Sequence, residues 1–212
     1  MNKRDNISIS VIKRLPRYYR FLGDLHVKGI VRISSKELSE RMGLTASQIR
    51  QDLNCFGGFG QQGYGYNVEQ LHSEIGNILG LTRPLKAIIV GAGNLGRALA
   101  SHMDFESRGF HLIGIFDNRE SMAGQLVKGL PVRHIYGLDE FCRENSPEIA
   151  ILSIPRDSAR TLSEQLIGLG IKGFWNFSHY DLRPVFPDIV VENVHLSDSL
   201  MTLCYRVHDL SD

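Results

Sequence analysis

The segment Gly91-Ala92-Gly93-Asn94-Leu95-Gly96 sets three glycines at G-x-G-x-x-G spacing. It lies directly behind the apolar run Lys86-Ala87-Ile88-Ile89-Val90 and ahead of Arg97-Ala98-Leu99-Ala100. The chemistry served by that spacing, between a strand and a helix, is the holding of a pyrophosphate. Gly91 permits the tight turn, Gly93 lets phosphate approach the backbone, and Gly96 brings the helix close to the strand, with its N-terminus toward the anion. A second apolar run, His111–Phe116, ends in Asp117, 21 residues beyond Gly96. A carboxylate there accepts hydrogen bonds from adenosine ribose hydroxyls and repels a 2′-phosphate, which favours NAD(H) over NADP(H). Further strand ends, at Ser153-Ile154-Pro155 and Asn176-Phe177, are expected on the carboxyl edge of the same sheet, where ligands bind. The cofactor set is therefore Gly91, Ala92, Gly93, Asn94, Leu95, Gly96, Asp117, Ser153, Pro155 and Asn176.

A different chemistry is written into the front of the chain. Ser34-Ser35-Lys36-Glu37 opens a helix with a capping-box pattern, Leu38 and Met42 form an apolar i, i+4 pair, and Gly43-Leu44 breaks the helix. Thr45-Ala46-Ser47-Gln48 restarts a helix with the same pattern, and Ile49 and Leu53 point inward together. Two short helices around a Gly-containing turn are the sequence form of a helix-turn-helix. With Ile49 and Leu53 in the core, Ser47, Gln48, Arg50, Gln51 and Asn54 lie on or beside the outer face, where they can hydrogen-bond base edges or phosphates. An ordinary αα-hairpin fits this short pattern equally well. The next ten residues, Gly57 to Tyr66, hold five glycines interleaved with Phe59, Tyr64 and Tyr66. Aromatics are foreign to a flexible linker and suit a hairpin, and a hairpin directly after a recognition helix is a wing. Gln61 and Gln62 at its tip are placed to enter a minor groove.

The elements that position these residues follow from periodicity. A first helix is expected with Pro16 near its start and Tyr19, Leu22 and Leu25 or His26 following. A helix over 68–79 ends at Gly80, and Thr82-Arg83-Pro84 marks the boundary. Beyond it the pattern alternates: a strand over Ile149–Ile154, a helix over about 157–168, and a strand over Gly173–Asn176. Leu196, Leu200, Leu203 and Val207 form one apolar stripe on a final helix. Such a stripe packs either on its own domain or on a second protomer, since helix-turn-helix proteins commonly bind two half-sites as symmetric dimers.

Composition separates the two parts. The 212 residues carry 24 Lys+Arg and 23 Asp+Glu, a net of +1. Residues 1–80 hold 11 basic and 7 acidic side chains, a net of +4, and the rest a net of −3. A near-neutral total hides a basic front of the kind that meets a polyanion, although a solvated basic face reads the same way. The three cysteines, Cys55, Cys142 and Cys204, form no Cys-x-x-Cys, which fits a reducing, cytoplasmic setting. No apolar run reaches ~18 residues, so no membrane span is expected. No His-Glu-x-x-His or Gly-x-Ser-x-Gly motif is present, and the eight histidines show no metal-ligand spacing. The length accommodates a nucleotide fold and a DNA reader but no substrate domain. An NAD-dependent oxidoreductase with a basic appendage, and a thiol switch at Cys55, are the competing readings.

The chain resembles the Rex family of NADH-sensing transcriptional repressors of bacteria over essentially its full length. The matching segments are Val11–Tyr19, Arg32–Leu38, Thr45–Leu53 (Thr-Ala-Ser-Gln-Ile-Arg-Gln-Asp-Leu), Phe56-Gly57, Gly63-Tyr64-Gly65-Tyr66, Gly91–Gly96, Gly170–Gly173 and Asn176-Phe177. The resemblance implies an α/β protein in three parts. These are a winged-helix DNA-binding domain over 1–80, a Rossmann NAD(H)-binding domain over 81–195, and a dimerisation helix over 196–212 exchanged between protomers. It also implies a non-enzymatic homodimer that leaves double-stranded operator DNA when NADH binds. The residues expected to face DNA are Arg14, Arg17, Ser47, Gln48, Arg50, Gln51, Gln61, Gln62 and Tyr64. Some family members link cofactor to dimer interface through an Arg, a Tyr and an Asp. Those places hold Asn94, His102 and His195 here, so that network is not carried over.

Overall fold

The first helix of the computed structural model, α1 (Ile9–Val27), starts seven residues ahead of Pro16, so the proline lies inside the helix and not near its start. Pro16 lies exposed on the solvent face, opposite a stripe of Val11, Leu15, Tyr18, Leu22 and Leu25. A proline inside a helix costs about 3 kcal/mol. Each large side chain fully buried along the stripe returns roughly 1.5–3 kcal/mol, so burial decides the outcome. The structure describes residues 7–57, 59–61 and 64–210.

The chain divides into two units between Thr82 and Arg83, inside the Thr82-Arg83-Pro84 segment. In the first, α1 is followed by β1 (Arg32–Ile33), α2 (Ser35–Met42), α3 (Ala46–Asn54), β2 (Gly60–Gln61), β3 (Gly65–Asn67) and α4 (Val68–Leu79). The Ser34–Glu37 capping box is complete, and Gly43, in the left-handed conformation, ends α2. At α3 only half of the expected box forms. Thr45 Oγ1 accepts from the Gln48 N–H, but the Gln48 side chain turns away from Thr45 toward Asp52. Strands β2 and β3 form the expected hairpin, and β1, which periodicity did not reveal, pairs with β3 to make a three-stranded antiparallel sheet. Gly65 is required there, because its φ is +69° and a Cβ would collide with the Ile33 carbonyl. One core joins α1–α4 through Leu15, Tyr18, Leu22, Leu38, Ile49, Leu53, Leu71 and Ile75.

The second unit runs β4 (Leu85–Val90), α5 (Asn94–His102), β5 (Phe110–Asp117), β6 (Leu126–Val127), β7 (Leu130–His134), α6 (Leu138–Asn145), β8 (Ile149–Leu152), α7 (Arg156–Gly168), β9 (Gly173–Asn176), β10 (Val190–Asn193) and α8 (Leu196–His208). Its seven strands are ordered β10-β9-β8-β4-β5-β7-β6, all parallel except for the β6–β7 hairpin. That hairpin turns through Lys128 and Gly129, both at positive φ, as a two-residue turn between twisted strands requires. Strand order reverses between β4 and β8, so the ends of those two strands open the crevice in which a doubly wound sheet holds ligands. Strand β8 stops at Leu152, short of the expected Ile154, which leaves Ser153, Ile154 and Pro155 as a turn at that crevice. Among the described residues, no helix is long and apolar enough to cross a membrane.

Candidate functional site

In the first unit the outer face of α3 carries Ser47, Arg50, Gln51 and Asn54, all exposed, while Ile49 and Leu53 are fully buried. Arg50 reaches across to α2, where its Nη1 donates to Ser35 Oγ at 3.0 Å, so both helices present one polar surface. Tyr64, 72% exposed, stands on the wing, and its carbonyl accepts from Arg32. Arg17 donates to the Met42 carbonyl at the end of α2. Gln62 lies outside the described residues, as does the side chain of Gln61.

Arg14 and Gln48 turn out differently from the rest of that set. Arg14 donates from Nε and Nη2 to the two oxygens of Asp52, each at 2.7 Å, and Gln48 Nε2 donates to Asp52 at 2.9 Å. Tyr18, fully buried, completes the cluster with an O–H donated to Asp52 at 2.8 Å. Burial pushes the Asp52 carboxyl up, but the donors Arg14, Gln48 and Tyr18 together outweigh it and hold the group below its usual range. Arg14 is thus committed to tying α1 to α3, and Gln48 is only half-buried and shared. Asp52 was missed because it interrupts the apolar face of α3. Its signal was an acid at a core position between Ile49 and Leu53.

In the second unit the Gly91–Gly96 segment has the geometry of a phosphate loop. Gly91 has a φ of +99°, and a Cβ there would strike the Ser153 carbonyl. A Cβ on Gly96 would overlap the Gly91 carbonyl, so α5 packs this closely only with glycine. A Cβ on Gly93, by contrast, meets no protein atom within 4 Å. The open space in front of that backbone is a cradle a side chain would fill, and it fits a pyrophosphate at the N-terminus of α5. A cleft of about 770 Å³ lies there, lined by Gly91, Gly93, Asp117, Arg119, Ser153 and Pro155 together with Ile135, Ile154, Thr161 and Leu162. Ser153 Oγ donates to the Gly91 carbonyl at 2.7 Å and fixes the turn.

Asp117 ends β5 at the cleft wall, 5% exposed. Its Oδ2 accepts the Ala92 N–H at 2.7 Å, and its two oxygens take Nε and Nη2 of Arg119 at 2.8 and 3.0 Å. The Arg119 hydrogen bonds pull this carboxyl down to about 2 against the opposing effect of burial. Arg119 went unremarked in the sequence, though a basic residue two positions past the ribose acid is a readable signal. The structure does not bring Asn176 into the cleft. Its amide donates to the Tyr180 carbonyl and Asn193, its oxygen accepts from the Ser178 N–H and hydroxyl, and all of its hydrogen-bonding capacity is used inside the fold. Ala92 is buried and Leu95 packs partly into the core, so they contribute backbone only; Asn94 is exposed at the start of α5.

His102 and His195 are not paired with each other. His195, just ahead of α8, has its Nδ1 3.4 Å from Nδ1 of His179, while His102 lines a separate shallow depression with Arg97 and Lys128. The described residues contain no group of three or more His, Cys, Asp or Glu able to hold a metal. Helix α8 has no buried residue, and Leu196, Leu200, Leu203 and Val207 are all more than half exposed.

Comparison with known proteins bears on both units. Residues 6–54 match the family described as putative DNA-binding protein N-terminus, and residues 82–180 match the CoA binding domain. A redox-sensing transcriptional repressor Rex from Clostridium perfringens is 54% identical over 208 residues, covering 98% of each chain. The Rex of Caldanaerobacter subterraneus is 53% identical over 99% of this chain and 93% of its own. Among solved structures, the repressor RSP in complex with NAD+ and operator DNA is 50% identical with a TM-score of 0.90, covering 98% of this chain and 95% of that one. RSP in complex with NADH gives 47% identity and a TM-score of 0.89, over 98% and 97%. The chain belongs to the Rex family of redox-sensing transcriptional repressors.

Proposed function

We propose that the chain binds double-stranded operator DNA as a homodimer through α3 and the wing, and leaves it when NADH occupies the second unit's cleft. It is a repressor and not an enzyme, as its relatives are. The observation that carries this reading is the open cradle before Gly93 in a chain that also presents the polar face of α3. Ser47, Arg50 and Gln51 are the base- and phosphate-contacting side chains, with Arg17 and Tyr64 contacting the backbone from α1 and the wing. The N–H groups at the start of α5 hold the pyrophosphate, and Asp117 addresses the adenosine ribose.

Discrimination between the redox forms follows from charge. Oxidised nicotinamide is a cation and reduced nicotinamide is neutral, so an apolar surround penalises NAD+ by desolvation. Ile135, Ile154 and Leu162 supply apolar lining in the cleft. Taking the DNA-competent arrangement from 99:1 to 1:99 requires about 5.5 kcal/mol of differential binding. The exposed apolar stripe of α8 supports the dimer, with the helix covered by, and exchanged with, a second copy. Gel-shift titration of the operator complex tests the reading: NADH displaces the DNA and NAD+ does not. Equal retention with both overturns it. Arg50→Ala weakens operator binding by roughly 1–3 kcal/mol, whereas turnover of NADH with small carbonyl compounds would mark an enzyme instead.

A further inference from the structure

His179 and His195 belong to neither the α3 face nor the dinucleotide cleft. They come from separate segments, the turn after β9 and the residue ahead of α8, and their Nδ1 atoms stand 3.4 Å apart with the rings 26° from parallel. That separation is beyond the roughly 2.7–3.2 Å of ordinary hydrogen bonds from an N–H. It matches a different arrangement. Two imidazole nitrogens at the zinc–nitrogen distance of about 2.0–2.1 Å, on one tetrahedral ion, lie about 3.3–3.4 Å from each other. We propose that His179 and His195 form a two-histidine site for a divalent transition-metal cation, with water in the remaining positions. Imidazole suits several such ions, and tetrahedral spacing selects zinc among them.

The two ligands are held in place before any ion arrives. Ser178 donates its N–H and hydroxyl to Asn176 Oδ1 at 3.0 and 2.6 Å, and Asn176 Nδ2 donates to the Tyr180 carbonyl at 2.6 Å, so the residues on both sides of His179 are fixed. His179 itself has a φ of +59°, a left-handed conformation that histidine tolerates better than most side chains. The same Asn176 Nδ2 donates to Asn193 Oδ1 at 2.8 Å, the Val194 N–H donates to the Asn176 carbonyl at 2.9 Å, and Asn193 Nδ2 reaches Asp181 at 2.7 Å. The turn that carries His179 is thereby tied to the segment that ends in His195. Both rings bind through Nδ1 when their protons sit on Nε2, whereas a hydrogen bond between them needs one Nδ1–H. Two ligands rather than three or four make an exchangeable site, and an ion there clasps the turn after β9 to the start of α8.

Calorimetric titration of the chelator-treated full chain with Zn2+ tests this. The wild-type chain is expected to bind the ion saturably, and its unfolding midpoint to rise with Zn2+ by mass action. His179→Asn, which tolerates the left-handed backbone, and His195→Asn are each expected to weaken binding by about tenfold or more, since even an outer partner of a metal site is worth about 10–100-fold. His111→Asn, which removes a histidine paired with Glu106 elsewhere on the sheet, leaves the affinity unchanged. Absence of saturable binding in the wild-type chain, undiminished binding in either variant of the pair, or an equal loss in His111→Asn overturns the proposal. A measurement on the wild-type chain needs no variant to fold: bound Co2+ is expected to show the intense visible absorption of a tetrahedral ion, and the pale octahedral spectrum overturns the assignment.

Discussion

Asp52 and Asp117 are the two buried carboxylates among the described residues, and each is paired with an arginine, but the pairs are made differently. Asp52 takes its arginine from 38 residues away and adds Tyr18 and Gln48, so that no oxygen is left for a ligand. Asp117 takes its arginine from two residues away, and that side chain is over half exposed. The first pair spans helices and locks α1 to α3. The second is local and lies beside a cleft, with its arginine largely in solvent. A buried ion pair marks a site only when its partner can leave.

Substitutions at the two positions put that distinction at risk. Asp52→Ala strands the buried Tyr18 hydroxyl and leaves Arg14 without its counter-ion; breaking a buried pair costs about 3–5 kcal/mol, read by denaturant unfolding. Gly96→Ala presses a methyl group onto the Gly91 carbonyl, and because backbone cannot yield cheaply, about 1–3 kcal/mol of overpacking and weakened NADH binding are expected, measured by unfolding and calorimetry. Asp117→Ala destabilises less than Asp52→Ala, since Arg119 returns to water; equal losses would erase the comparison. Acid acts on both pairs with the same sign. Carboxyls held below their ordinary range contribute stability that is complete above the unfolded-state value near 4 and is lost as pH falls through the folded value. The contribution of these two pairs to stability is therefore flat from neutral pH to roughly 5 and declines below about 4, with Asp117 titrating near 2. Cys55→Ser, at the exposed end of α3, leaves the NADH response unchanged, measured by operator gel shift.

The sheet and the glycine loop were legible because their patterns are local. Strand, glycines, helix and acid follow one another within about thirty residues, and Val68–Leu79 and Gly173–Asn176 emerge with the expected ends. The start of α1 was not legible, since a proline argues locally against a helix that only the packed stripe reveals. Arg14 and Asn176 show the same limit. Arg14 lies in a basic run and reads as a phosphate contact until Asp52 is folded against it. Asn176 sits at the correct edge of the sheet, but Tyr180, Ser178 and Asn193 take every hydrogen bond it can make. Exposure and edge position can be inferred from periodicity, whereas the partner that consumes a polar side chain cannot.

Helix α8 carries a consequence for abundance. It buries no residue in its own unit, so with the proposed dimer the burial of its apolar stripe belongs to the second copy, and the unfolding midpoint rises with protein concentration by mass action. Dilution then removes both the pairing and the form able to read a symmetric operator. The copy number of the repressor becomes a second input beside the nucleotide, setting how much sensor exists for the redox signal to act upon.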